Sequence, residues 1–126
     1  MIASNDETEI RELVLAWAEA ARSKNLQGVL TRHSEDIVMF DVPMPIQSRG
    51  AKEYQATWEL FFGGSPGGPK SFELTELQIT AGESVAYCHA LVNVGDSTAR
   101  LTMGLRKQHD GWVIAHEHHS YALERG

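Results

Sequence analysis

The chain has little cysteine and little positive charge. Its one cysteine, Cys88, can form no internal disulfide, which is typical of proteins from reducing compartments. Only 11 Lys and Arg residues stand against 17 Asp and Glu residues, a formal net charge of −6 that argues against nucleic acid or an anionic membrane as the main partner. No apolar run approaches the roughly 20 residues that cross a bilayer, and the acidic N-terminus lacks the pattern of a signal peptide. We therefore expect a cytoplasmic protein that binds neither nucleic acid nor membrane.

The composition and length indicate one globular domain over 1–126. Apolar residues make up 42% and charged residues 22% of the chain, close to the average of soluble proteins. Apolar residues recur at helical spacing over 6–23, behind an S-x-x-E capping box that begins at Ser4. A short second helix is expected to end near His33, and a third to run from Gly50 to the glycine pair 63–64.

Strand patterns fill the rest of the chain. Residues 36–42 are β-branched and aromatic and predict a short strand. From residue 70 onward the apolar residues alternate, which predicts four long strands joined by breaks too short for crossover helices. Helices followed by an antiparallel meander indicate an α+β fold. Both faces of the last strands carry apolar residues, so we expect the outer sheet face to pack on a second copy, as a homodimer.

Two segments carry a family resemblance: "DIVMFDVPMPIQSRG" before the third helix and the closing "DGWVIAHEHHS". With the order of elements, they resemble the nuclear-transport-factor-2-like superfamily, in its SnoaL-like and ketosteroid-isomerase-like members, near the branch of the calcium/calmodulin-dependent kinase II association domain. The resemblance covers nearly the whole chain. It implies a cone-shaped α+β barrel, in which three N-terminal helices pack on a curved, mostly antiparallel sheet around an apolar pocket for a small apolar molecule.

The closing strand supplies most of the predicted site. Side chains alternate along a strand, so its residues divide into two faces. The family pattern implies that one set lines the pocket: Trp112, Ile114, His116, His118 and Ser120. The other set, Glu117, His119 and Tyr121, is then expected to face a partner subunit or water.

Asp41 resembles, by position, the general base of ketosteroid isomerases. Its neighbours, Met39 among them, are apolar, and desolvation would raise the pKa of a carboxyl group in such a setting. A second interpretation fits equally well: an Asp before Pro43 often accepts backbone hydrogen bonds in a turn. The sequence leaves both open.

The same resemblance argues against ketosteroid isomerisation itself. That family uses an oxyanion hole built from a Tyr and a protonated Asp. Trp17 falls at or near the position of that Tyr and offers only a weak N–H donor. Met103, with Thr102 as its neighbour, falls near the position of the acid, and neither residue is a carboxylic acid. Other proton transfers stay open, with His116 or His118 as the acid/base partner of Asp41.

The predicted site therefore contains catalytic and substrate-binding residues. The catalytic ones are Asp41, His116 and His118. Those expected to bind substrate are Trp17, Met39, Tyr54, Trp58, Met103 and Ser120. A structural interpretation competes with this one, since histidines in a strand often form a hydrogen-bonded ladder for stability alone.

Metal and cofactor sites are weaker hypotheses. His116 and His118 have the spacing of two ligands on one strand face, but zinc needs further ligands, and only Asp41 and His89 offer themselves. We expect neither a metal nor a cofactor. The strand also resembles that of iota-class carbonic anhydrases, which implies His118, Ser120 and Tyr54 as a minor alternative site.

The leading hypothesis is a small-molecule pocket protein that catalyses proton transfer, as isomerisation, dehydration or cyclisation of an apolar substrate. The alternative is a non-catalytic ligand-binding or oligomerisation domain, because this fold serves both purposes.

Overall fold

The computed structural model describes residues 5–124, so Ser4 of the predicted capping box lies outside the described residues. Three helices and six strands follow one another in the order α1 Asn5–Arg22, α2 Leu26–Leu30, β1 His33–Phe40, β2 Ser48–Arg49, α3 Gly50–Gly64, β3 Glu73–Ala81, β4 Val85–Val94, β5 Ser97–Gln108 and β6 Gly111–Ser120. None of these helices is long and apolar enough to cross a membrane.

The six strands form one sheet in the order β2-β1-β6-β5-β4-β3. Neighbouring strands are antiparallel except β1 and β6, which run parallel. The predicted α+β class with a mostly antiparallel sheet is confirmed. The sequence did not predict β2, which at two residues is too short to show an alternating pattern.

The start of β1 differs from its prediction. The second helix ends at Leu30, and His33 begins a strand instead of ending a helix. Arg32 has a φ of 57°, and this left-handed conformation reverses the chain between the two elements. Because a non-glycine residue adopts it, the turn carries no signal in the sequence.

The helices cover the inner face of the sheet and form the core with it. One side of α1 is buried through Ile10, Val14, Trp17 and Ala21, as its spacing predicts. The Trp17 ring packs edge to face against Trp58 and Phe72, with centroids 5.8 and 5.2 Å away.

A bulge in β6 decides which side chains face this core. Leu105 of β5 pairs with Ile114, and the next residue of β5, Gly104, pairs with His116, so Ala115 is an additional residue in β6. Because side chains alternate along a strand, one additional residue moves every later side chain of β6 to the opposite face of the sheet.

The face assignment derived from strict alternation is therefore wrong beyond Ala115. Trp112 and Ile114 point inward as predicted, but Glu117 is completely buried and His118 is exposed. The set that points inward after the bulge is Glu117, His119 and Tyr121, the set predicted to face away.

Candidate functional site

Glu117 lies at the centre of a buried hydrogen-bond cluster. Its Oε1 is 3.1 Å from Nε2 of His119, and its Oε2 is 3.1 Å from Nε2 of His33. The Tyr54 hydroxyl also donates to Oε2 and lies 2.9 Å from His33 Nε2. Trp17 Nε1 donates to the Tyr54 oxygen at 3.2 Å. We call these five residues the Glu117 cluster; they come from α1, β1, α3 and β6.

The cluster holds Glu117 as an anion. Burial acts to raise the pKa of this carboxyl group, but hydrogen bonds from His119 and His33, with their charges, outweigh burial and lower the pKa to about 2. Burial and the adjacent Glu117 charge raise the pKa of Tyr54 well above its usual value, so the phenol stays neutral. The carboxylate of Glu117 thus stays ionised away from water, because hydrogen-bond donors stabilise its charge.

His119 is influenced from two sides. Burial acts to lower the pKa of its imidazole, yet the hydrogen bond and charge of Glu117, with the charge of Asp41, produce a net increase. The pKa of His119 therefore lies above the 6.5 of an ordinary imidazole, which favours the protonated ring.

A cavity of about 340 Å³ opens beside the cluster, and His119 forms part of its wall. This volume is near the lower end of the roughly 300–1,000 Å³ usual for small-molecule sites. Its walls are mainly apolar, with a few polar groups. The lining residues are Met39, Asp41, Val42, Pro43, Met44, Thr57, Trp58, Leu60, Phe61, Phe72, Val92, Val94, Ala99, His119 and Tyr121.

A larger and more open depression lies elsewhere, between the end of α1 and residues 66–69. Its volume is about 660 Å³, and it contains no residue of the Glu117 cluster. Its two cations are already engaged, since Arg22 donates to the Phe72 carbonyl at 2.8 Å and Lys24 to the Ser65 carbonyl at 2.9 Å. The smaller cavity, beside the Glu117 cluster, is therefore the better candidate for a functional site.

The three predicted catalytic residues are not brought together. Asp41 lies at the cavity wall, where its Oδ1 accepts the Val42 N–H at 2.8 Å. His116 lies on the outer sheet face, with Nδ1 2.7 Å from the Val38 carbonyl oxygen. His118 is exposed on the same face, its ring centroid 5.4 Å from that of Phe40. The catalytic roles stay predictions, but both histidines are outside the cavity.

The predicted substrate-binding residues divide into three groups. Met39 and Trp58 line the cavity. Trp17 and Tyr54 belong to the cluster behind it. Met103 and Ser120 do neither. Met103 is completely buried in the core, opposite Glu117 across the β5–β6 ladder, and the Ser120 hydroxyl accepts a hydrogen bond from Arg100 at 3.2 Å.

Potential ligands for a metal are also dispersed. Over residues 5–124, no group of three or more His, Cys, Asp or Glu side chains has an arrangement that could hold a metal ion. The pair suggested by the H-x-H spacing, His116 and His118, lies on the outer face, and no further ligand within this range completes a metal site with it.

Three residues of the cluster were missed from the sequence: His33, Glu117 and His119. One signal could have identified two of them. Trp112, Val113 and Ile114 are three consecutive large apolar residues, all buried, and such a run departs from alternation and can mark an irregular strand. His33 had no such signal, because it lies beside a turn that the sequence does not show.

Comparison with known proteins agrees with the fold. The SnoaL-like domain family matches residues 10–124. An NTF2-like protein of unknown function from Pseudomonas putida KT2440 is 33% identical, with a TM-score of 0.88 over 98% of this chain and 92% of its own. No curated protein matches the chain.

Two more distant structures share the fold alone. A ketosteroid isomerase-like protein from Erwinia carotovora atroseptica SCRI1043 is 17% identical, with a TM-score of 0.78 over 97% of this chain and 100% of its own. A protein proposed to be a dehydratase of the NTF2-like family, from Streptomyces avermitilis, is 16% identical, with a TM-score of 0.81 over 94% and 97%. The cone-like α+β fold, the family match over most of the chain and the 33% identical relative lead to one conclusion: this chain belongs to the SnoaL-like family of NTF2-like proteins.

Proposed function

We propose that this protein binds a small, mainly apolar molecule in the 340 Å³ cavity and transfers a proton on it, with His119 as the acid and base. One observation carries the proposal: His119 is hydrogen-bonded to the buried carboxylate of Glu117 and also forms part of the cavity wall. An oriented imidazole at an apolar pocket is a recurrent arrangement for general acid–base catalysis.

The two ring nitrogens of His119 have different roles in this proposal. Nε2 is held by Glu117 at 3.1 Å, which fixes the ring and stabilises the imidazolium when it forms. Nδ1 is then the nitrogen that exchanges a proton with the ligand. As base it removes a proton from carbon or a hydroxyl group, and as acid it returns that proton to another atom of the same molecule.

The cavity wall restricts the ligand class. Trp58, Phe61 and Phe72 offer aromatic surface, and their rings are mutually packed at centroid distances of 5.4–6.0 Å. An apolar, ring-containing molecule fits such a wall. Isomerisation, dehydration and cyclisation of such a molecule all depend on moving one proton, and the names of the two distant relatives are in keeping with this class.

Asp41 is the second polar group that we assign to the reaction. It lies at the same cavity as His119, and its charge contributes to the raised pKa of that imidazole. Its hydrogen bond from Val42 occupies Oδ1, and Oδ2 remains for the ligand. We propose that Asp41 orients the ligand or shares the proton with His119.

The test begins with the ligand. Native mass spectrometry of protein purified from its source cells identifies a bound molecule, whose conversion is then followed with His119→Gln, Asp41→Asn and His118→Gln. We expect His119→Gln to lower kcat/KM by about 10²–10⁴-fold, the usual contribution of a general acid–base group. His118→Gln is the matched control, because the same change falls on the outer face, and it is expected to retain activity.

The non-catalytic alternative makes a different prediction. In a pure binding protein, His119→Gln and Asp41→Asn alter ligand affinity while no conversion is seen with the parent protein. Full turnover by His119→Gln would reject the role of this histidine. The carbonic-anhydrase-like alternative has no geometric support, since His118 and Ser120 both lie outside the cavity.

A further inference from the structure

Both ring nitrogens of His33 have hydrogen-bond partners inside the protein, and these partners determine which nitrogens carry a proton. Nδ1 lies 2.8 Å from the carbonyl oxygen of Thr31. A carbonyl oxygen only accepts hydrogen bonds, so Nδ1 carries a proton in every state of the ring. The charge of His33 therefore depends on Nε2 alone.

The surroundings of Nε2 favour a second proton. This nitrogen lies 3.1 Å from Glu117 Oε2 and 2.9 Å from the Tyr54 oxygen. Without a proton, its lone pair would face a carboxylate oxygen in a site that water does not reach, since the His33 side chain is 3% exposed and that of Glu117 0%. Two buried acceptors in contact leave both without a donor, which is costly.

The single proton of Tyr54 cannot serve both acceptors. If the hydroxyl donates to His33, Glu117 Oε2 is left facing two lone pairs. If it donates to Glu117, His33 Nε2 needs its own proton. With Nε2 protonated, every donor has an acceptor: His33 and Tyr54 donate to Glu117, and Trp17 donates to Tyr54.

We propose that His33 is a constitutive imidazolium, the fixed counter-ion of Glu117. As a positioning residue, it leaves His119 as the one histidine of the cluster that titrates at the cavity. The second half of this statement rests on the proposed function; the first half does not. The depressed pKa of Glu117, about 2, is in keeping with a carboxylate between two donors.

The physical consequence concerns His119. A carboxylate with only one imidazole beside it would hold the proton of that imidazole tightly. The His33 charge offsets part of the Glu117 charge, so the pKa of His119 is raised less than Glu117 alone would raise it. The other titratable groups that face the cluster are Tyr54 from α3, Cys88 from β4 and Asp41 after β1, and neither Tyr54 nor Cys88 carries charge near neutral pH, because burial raises the pKa of both.

Nitrogen-15 NMR of the histidine rings tests this in the unmodified, labelled protein. We expect both ring nitrogens of His33 to show the protonated, imidazolium pattern at pH 7, whereas His119 titrates above the 6.5 of an ordinary imidazole, with Nε2 as its protonated nitrogen when neutral. A neutral His33 ring at pH 7, with Nε2 unprotonated, would overturn the proposal and place the proton on Glu117 instead.

A variant isolates the coupling between the two histidines. In His33→Gln, the loss of positive charge should raise the pKa of His119 by about one unit or more and move any pH–rate profile upward equally. His109→Gln, at an exposed residue of the β5–β6 turn, should leave both unchanged. An unshifted His119 in a folded His33→Gln protein would also overturn the proposal. If His33→Gln does not fold, the measurement on the unmodified protein still decides.

The outcomes separate this inference from the proposed function. A charged His33 with an active His119→Gln variant retains the first half of the inference and rejects the catalytic role of His119. A neutral His33 with an inactive His119→Gln variant does the reverse.

Discussion

At the scale of single residues, the identity of Glu117 matters because its charge is completely enclosed. A buried carboxylate is tolerated when each of its oxygens has donors, and here His33, Tyr54 and His119 supply them. Removing the charge leaves donors without an acceptor, and one of them is itself charged. The residue is therefore central to stability as well as to the proposed chemistry.

Glu117→Gln is expected to lower the free energy of unfolding at pH 7 by roughly 3–5 kcal/mol, the usual effect of breaking a buried ion pair. Because the folded pKa of Glu117, about 2, lies below the unfolded value of 4.5, its contribution is present above pH 4.5 and is lost as the pH falls towards 2. Urea unfolding at pH 7 and pH 3 measures this. Glu83→Gln, in the exposed turn after β3, is the control, and equal losses in both variants would contradict the assignment.

At the scale of elements, the sequence predicted most helices and strands because their burial follows simple periods. The side chains of the site were not predicted correctly, and the reason is also physical. The additional residue Ala115 in β6 exchanges the inner and outer faces, and the segment "HEHHS" itself carries no sign of it beyond the apolar run that precedes it. The right strand was identified as the source of the site, but the wrong half of its side chains was assigned to the cavity.

Close contact between α1 and α2 gives a prediction at this scale. A Cβ atom at Gly28 would lie 2.6 Å from the Cβ of Ala20, so Gly28→Ala must separate the two helices and should lower the free energy of unfolding by roughly 1–3 kcal/mol. Gly63 in α3 has no atom within 4 Å of such a Cβ, and Gly63→Ala should add up to about 1 kcal/mol through helix propensity. Thermal and urea unfolding of both variants compares them; a stable Gly28→Ala protein would contradict the steric argument.

At the scale of the whole molecule, the outer sheet face is the main surface that the helices leave uncovered. It presents Phe40, Val85 and Tyr87, which are 36%, 61% and 51% exposed, beside His116 and His118. We propose that two copies of the chain associate through this face, since exposed apolar side chains on a sheet face favour a partner over water.

Tyr87→Glu tests that association, because a carboxylate at the centre of an apolar interface would be desolvated without a partner. Sedimentation analysis should give twice the chain mass for the parent protein and the chain mass for Tyr87→Glu. Leu60→Glu makes a similar change at an exposed apolar residue of α3, 77% exposed, and should remain a dimer. A monomeric parent protein, or dissociation by Leu60→Glu, would reject this interface.

The sequence by itself determined the class of fold, the order of the elements apart from β2, the family and the importance of the closing strand. It could do so because amphipathic periods and turn residues are local properties. Only the tertiary structure decided which side chains meet. His33, Tyr54 and Glu117 are separated by 21 to 84 positions, and they come together through a parallel pairing of β1 with β6, a left-handed turn at Arg32 and a bulge at Ala115. Each of these features depends on contacts between distant segments, and a local pattern hints only at the bulge, through the apolar run before Ala115.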